Sequence, residues 1–207
     1  MPYYQGTRFF FIIVVLCLGL SACSSKNELP ALTAESKVLI FGDTITAGEG
    51  VKPEEAYPQQ LAKQVNYTVI NAGVAQESTA AALERFPQLL IQHQPDVIVF
   101  CHGDYDLQQG IDERKIVDNL RLLLRQTYDQ EIPTILLGIP KIELKHMPPY
   151  PFYRRLARAF GAVYNGAVLS EILASPEARL TPRTPNAAGH KRLAEVLAKM
   201  LQPETAS

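Results

Sequence analysis

The apolar run Val38–Phe41 ends in Gly42-Asp43-Thr44. A buried strand that runs straight into glycine, aspartate and a hydroxyl is how an α/β fold presents a nucleophile at the carboxyl end of its sheet. Thr44 is therefore the first candidate for chemistry. Its branched methyl crowds the approach to a carbonyl, and its hydroxyl needs a base to take its proton. The sequence offers four histidines. His190 shares a helical stripe with Leu193 and Leu197, which directs it toward a core. His102 follows Cys101, but neighbours on a strand face opposite ways, which separates imidazole from thiol and makes Cys101 a buried structural cysteine. His93 closes a surface helix, and His146 stands in a loop. None of the four has metal-ligand spacing with another, so neither metal nor cofactor is expected. Asp104 and Asp106 could pair as acid and base, the alternative being solvation or helix capping. Asp43 is read as fixing the turn around Thr44.

These residues need a frame to hold them, and the pattern supplies one. Short apolar runs at Val38–Phe41, Thr68–Asn71, Val97–Cys101 and Thr134–Gly138 are bounded by turn residues, as strands buried on both faces are. Helical patterns lie between them. Ile116, Leu120, Leu123 and Leu124 form one amphipathic face. Asn186 can cap a last helix whose core stripe is Leu193, Val196, Leu197, Met200 and Leu201. The alternation predicts an α/β fold, a three-layer α/β/α sandwich with a flavodoxin-like, mostly parallel sheet. Gly42–Thr44, Ala72–Glu77 and His102–Asp106 all follow strands and so converge at the ligand-binding end. Lys145–Arg155, rich in proline and aromatics, reads either as a lid over that end or as a packed connection.

Of the 207 residues, 47% are hydrophobic and 20% charged, with a net charge of -1. That balance suits one globular domain with an ample core, and with no basic run it argues against nucleic acid as a partner. Residues 1–22 read separately. Arg8 precedes the apolar run Phe9–Leu20, which is shorter than the roughly 20 residues of a spanning helix and has the length of a signal-peptide core. Leu20-Ser21-Ala22-Cys23 resembles a bacterial lipobox, which implies lipidation of Cys23 and a membrane partner reached through its acyl chains. Ser24 after the cysteine resembles an outer-membrane sorting signal. Residues 23–36 read as a lipidated N-terminus and flexible tether, and 37–203 as the folded domain. Cys101 then has no cysteine left to pair with.

Four blocks carry a family resemblance. Phe41-Gly42-Asp43-Thr44-Ile45-Thr46-Ala47-Gly48, Asn71-Ala72-Gly73, Gln92-His93-Gln94-Pro95 with Gly103-Asp104-Tyr105-Asp106, and Thr184-Pro185-Asn186-Ala187-Ala188-Gly189-His190 occur in order. Together they resemble the SGNH (GDSL) hydrolase superfamily, especially its bacterial periplasmic thioesterase and lysophospholipase branch, over roughly Lys37–Leu201. The resemblance places the family's nucleophilic serine on Thr44, its oxyanion glycine on Gln76 and its oxyanion asparagine on Tyr105. It places the aspartate and histidine of the triad on Thr181 and Thr184. All five positions depart from the family pattern. Thr184 weighs most, because a neutral alcohol cannot take the nucleophile's proton near pH 7.

The expectation is a pseudoenzyme on an esterase frame, anchored to the outer membrane facing the periplasm and acting by binding or assembly. By analogy of fold its ligand is an acyl or acetylated carbohydrate group near Thr44 and Tyr105. Two alternatives stay open at this point. One is an active esterase or acyltransferase using Thr44 with an unrecognised base. The other is a module for an envelope protein partner, with a vestigial crevice.

Overall fold

The computed structural model describes residues 29–142 and 146–202; Cys23 lies outside them. Five parallel strands form one sheet: β1 (Lys37–Gly42), β2 (Thr68–Gly73), β3 (Val97–Cys101), β4 (Thr134–Leu137) and β5 (Val163–Asn165). Their order is β2-β1-β3-β4-β5, the flavodoxin-like arrangement. Helices α3 (Thr79–His93), α5 (Glu113–Asp129) and α6 (Pro151–Ala159) pack with one another, as do α2 (Tyr57–Ala62), α7 (Val168–Ala174) and α8 (Ala187–Met200). The result is the expected three-layer sandwich.

Side-chain chemistry explains which elements were visible in the sequence. β3 and β4 are buried along their whole length, and β1 is buried after Lys37, so each appears as an unbroken apolar run. β5 has no counterpart among the expected strands. Val163-Tyr164-Asn165 is three partly buried residues at the sheet edge, too short and too mixed to give a pattern. The stripe of α5 is buried as expected at Ile116, Leu120, Leu123 and Leu124. Asn186 caps α8, its side chain accepting the N–H of Gly189 at 3.1 Å while its amide donates to the Glu177 carbonyl at 2.8 Å. Between β1 and α3 an aromatic cluster of Phe41, Phe86 and Phe100 fills the centre, with Arg85 stacked 4.5 Å from the Phe41 ring.

One expectation needs correction, and one open choice is decided. The segment read as a tether is docked in part, since Leu29 and Leu32 pack against the core and Ser36 turns back on Thr33. Folded structure thus begins before Lys37. The proline-rich segment is a packed connection and helix rather than a lid over the ligand end. Pro140 bridges to Pro149, and Phe152 and Tyr153 of α6 are buried. The Tyr153 hydroxyl donates to the His102 carbonyl at 2.7 Å, supporting the turn after β3 from beneath. Among the described residues no helix is long and apolar enough to cross a membrane.

Register decides the rest: Gly42 lies level with Gly73 on one side and Cys101 on the other. The turns after β1, β2 and β3 therefore leave the sheet at one height. The Asn186 cap carries the last block toward them, and Asn186→Ala should cost about 1–2 kcal/mol in urea unfolding with the spectroscopic signature of the fold retained.

Candidate active-site crevice

Thr44 opens α1 (Thr44–Ala47) directly after β1, and Tyr105 lies in α4 (Asp104–Gln108) directly after β3. What joins these turns is the Asp43 carboxylate, fully buried, whose Oδ2 accepts the backbone N–H groups of Gly103 and Tyr105, both at 3.0 Å. Burial raises Asp43 to about 6, opposed by His102, whose Nδ1 stands 3.8 Å away. The structure thus gives Asp43 the positioning task read from the sequence. Gly103 takes φ of +106°, and a side chain there would meet the Tyr153 hydroxyl, so glycine is required.

Other carboxylates fasten the neighbouring loops. Asp106 accepts the N–H of Thr79 at 2.8 Å and its hydroxyl at 3.0 Å, tying α4 to the first turn of α3. Burial pushes Glu77 up, but hydrogen bonds from His102 and Arg85 outweigh it and hold the carboxyl below its ordinary range. Asp104 meets Arg183 at 2.8 Å and Gln108 at 2.6 Å, and burial raises it despite both partners. Asp104 and Asp106 are therefore buried but engaged with different partners, and they do not form an acid–base couple.

With the loops so held, the backbone N–H of Gln76 donates to Thr44 Oγ1 at 3.0 Å. Gln76 adopts φ of +59°, a left-handed conformation that favours glycine. Glycine would adopt that conformation without a side-chain penalty. Thr44, Gln76, Tyr105, Thr181 and Thr184 all line one crevice of about 440 Å³, so the five positions do come together.

At the two positions that the resemblance gives to the triad's aspartate and histidine stand two threonines. Thr181 Oγ1 accepts the N–H groups of Arg183 and Thr184, at 3.2 and 3.1 Å, and its hydroxyl donates to Thr184 Oγ1 at 3.0 Å. A pair of neutral hydroxyls closes the turn. His190, as its helical stripe implied, is buried; its Nδ1 accepts the Tyr57 N–H at 3.2 Å and its ring stacks on Tyr57. His102 faces Glu77, at 3.1 Å, and the Phe41 ring. Cys101 lies instead beside Thr46 and Tyr57, and its thiol is pushed well up by burial. No thiol–imidazole dyad exists.

Sequence reading missed several walls of the crevice: Glu49, Gly50, Gln108, Gln109 and Leu180. Glu49 matters most, as the only charged side chain lining it among the described residues. Gly48 and Gly50, at φ of +80° and +90°, carry Glu49 back to the crevice after the single turn of α1. The Gly-Glu-Gly sequence was the available signal.

Two measurements test this geometry. Gln76→Gly should relieve the left-handed strain and stabilise the domain by roughly 1 kcal/mol, whereas Gln76→Val should destabilise it, both read by thermal unfolding. The second concerns acid. Burial holds His190 at about 4 against the pull of Glu55, below its ordinary 6.5. Its contribution to stability is therefore complete above pH 6.5 and is lost as pH falls toward 4. Asp43, raised from 3.8 to about 6, opposes this, since its contribution fades as pH rises through 6. His190→Gln should lose less stability than wild type between pH 6.5 and 4 in urea titrations; an unchanged acid dependence would rule out a neutral buried imidazole.

Comparison with known proteins agrees with the geometry. The profile of the GDSL-like lipase/acylhydrolase family matches residues 40–202. An arylesterase of Vibrio mimicus is 27% identical over 185 residues, covering 82% of this chain and 84% of that protein. Esterase TesA of Pseudomonas aeruginosa is 28% identical over 159 residues, covering 74% and 75%. A crystal structure of TesA superposes with a TM-score of 0.70 at 23% identity, covering 81% of this chain and 99% of that one. A matched profile over residues 40–202, on the same fold and with the family's blocks meeting at one crevice, identifies this chain as a member of the GDSL-like lipase/acylhydrolase family.

Proposed function

We propose that this protein is a non-catalytic member of its family, a lipid-anchored envelope protein that works by binding or assembly. The observation that carries the reading is the Thr181–Thr184 hydroxyl pair where an aspartate–histidine pair would stand, with His102 and His190 both buried in other contacts. Loss of the base alone leaves only residual catalysis even with an intact oxyanion site. Anchoring rests on the lipobox-like Leu20–Cys23 and on Ser24, which together favour the outer membrane facing the periplasm. The crevice at Thr44 and Tyr105 then serves as a binding site, with an acyl or acetylated carbohydrate group as its ligand.

One observation favours a second reading. Gln76 N–H already addresses Thr44 Oγ1, and Glu49 shares their crevice. An esterase using Thr44 with Glu49 as its base would explain both. A carboxylate is, however, a far weaker base toward an alcohol than imidazole, so this reading stands second.

Hydrolysis of nitrophenyl acetate and butyrate by the full-length chain separates the two. Wild type should match Thr44→Ala, while Thr44→Ser/Thr181→Asp/Thr184→His should exceed both by about 10²-fold or more. Wild-type turnover that Thr44→Ala abolishes and Glu49→Gln reduces would establish the second reading instead. For the anchor, Cys23→Ser should abolish incorporation of labelled palmitate and release the protein from the membrane fraction; unchanged labelling would refute it.

A further inference from the structure

Charge in the crevice is one-sided. Its hydrogen-bonding walls are neutral: Thr44, Gln76, Tyr105, Gln108, Gln109, Thr181 and Thr184 contribute hydroxyls and carboxamides. The only charged side chain lining it is Glu49, which is exposed and engages no protein partner through its carboxylate among the described residues. No cation lines it. Arg183, in the Thr181–Thr184 turn beside the crevice, is committed to Asp104 at 2.8 Å. An anionic ligand would thus enter a site with an uncompensated negative charge and no positive group to receive it. A ligand with an ammonium group would instead find one carboxylate free and an array of neutral donors and acceptors beside it.

We infer that the crevice binds a glycan bearing a free primary amine, its ammonium on Glu49 and its hydroxyls on the carboxamides and threonines. The inference rests on the reading of the crevice as a binding site, keeps its carbohydrate ligand, and replaces the acetyl group with a free, cationic amine as the group recognised at Glu49. Carboxamides suit such a ligand because each offers donors and an acceptor together, which matches neighbouring sugar hydroxyls. Tyr105 adds an aromatic wall of the kind that orients ligands in mostly polar sites. The single α1 turn and the two left-handed glycines hold Glu49 at this wall, so the carboxylate is placed by the backbone rather than by a partner side chain.

The test is calorimetric titration of the full-length chain in a non-ionic detergent with three probes: the glucosamine tetramer, its fully N-acetylated counterpart, and tetralysine. The glucosamine tetramer should bind about five- to tenfold more tightly than the N-acetylated form, as expected of one charge-assisted contact at an open site. Glu49→Gln should reduce that preference to within about twofold, Glu49→Asp should keep most of it, and added salt should weaken it. Tetralysine should bind more weakly than the glucosamine tetramer. Equal binding of the two sugars, a preference untouched by Glu49→Gln, tighter binding of tetralysine, or binding of no probe would each overturn the inference. Ester turnover dependent on Thr44 would overturn the non-catalytic reading while leaving an observed ammonium preference intact, so the two failures remain distinct.

Discussion

The carboxylate of Asp43 accepts the N–H groups of Gly103 and Tyr105 from a position closed to solvent, so the turn after β1 cannot be placed without the turn after β3. Burying such a group is costly unless it is hydrogen-bonded; two well-directed donors on Oδ2 offset part of that cost, while Oδ1 has no hydrogen-bond partner among the described residues. The residual cost is visible in its raised affinity for a proton, which burial imposes. From this joint the rest of the ligand end follows. Asp106 passes the constraint to Thr79 and α3, and Glu77 passes it to His102 and Arg85. Gln76, next to Glu77, is thereby held with its N–H on Thr44 in a conformation that its own side chain disfavours.

That arrangement separates the frame of a hydrolase from its proton chemistry. The frame is built from backbone donors and buried carboxylates, none of which is the nucleophile or the base. The turn that the family resemblance assigns to the base is partly exposed and closed by Thr181 and Thr184 through bonds to each other and to local N–H groups. Hydroxyls complete such a turn without a charge, as Ser and Thr do in turns generally. The turn closes on its own bonds, without drawing on the carboxylates that hold the neighbouring loops.

Much of this was legible in the sequence because burial on both faces writes strands as apolar runs, and because Asn186 and the α5 stripe obey helical spacing. The five crevice positions came from the family resemblance, and their meeting in one crevice depends on a register that no local pattern states. β5 was hidden by its brevity and partial exposure. Helix α6 was obscured by the prolines before it, although Phe152, Tyr153, Leu156 and Ala157 follow a helical stripe and Pro151 suits a first turn. Glu49 was missed for a different reason. Its importance lies in a backbone reversal at Gly48 and Gly50, and neither hydrophobic periodicity nor the family's blocks marks that reversal.

Leu29 and Leu32 lie against the core, and Ser36 and Lys37 receive the N–H groups of Thr68 and Asp96 at the strands' starting edge. The crevice is at the opposite edge, beyond the strand ends. Should lipid hold Cys23, only the chain from there to Leu29 would separate anchor from globule, a leash of at most about 20 Å. A body larger than its leash cannot tumble freely. Its crevice would then meet only what comes within a short reach of the membrane surface.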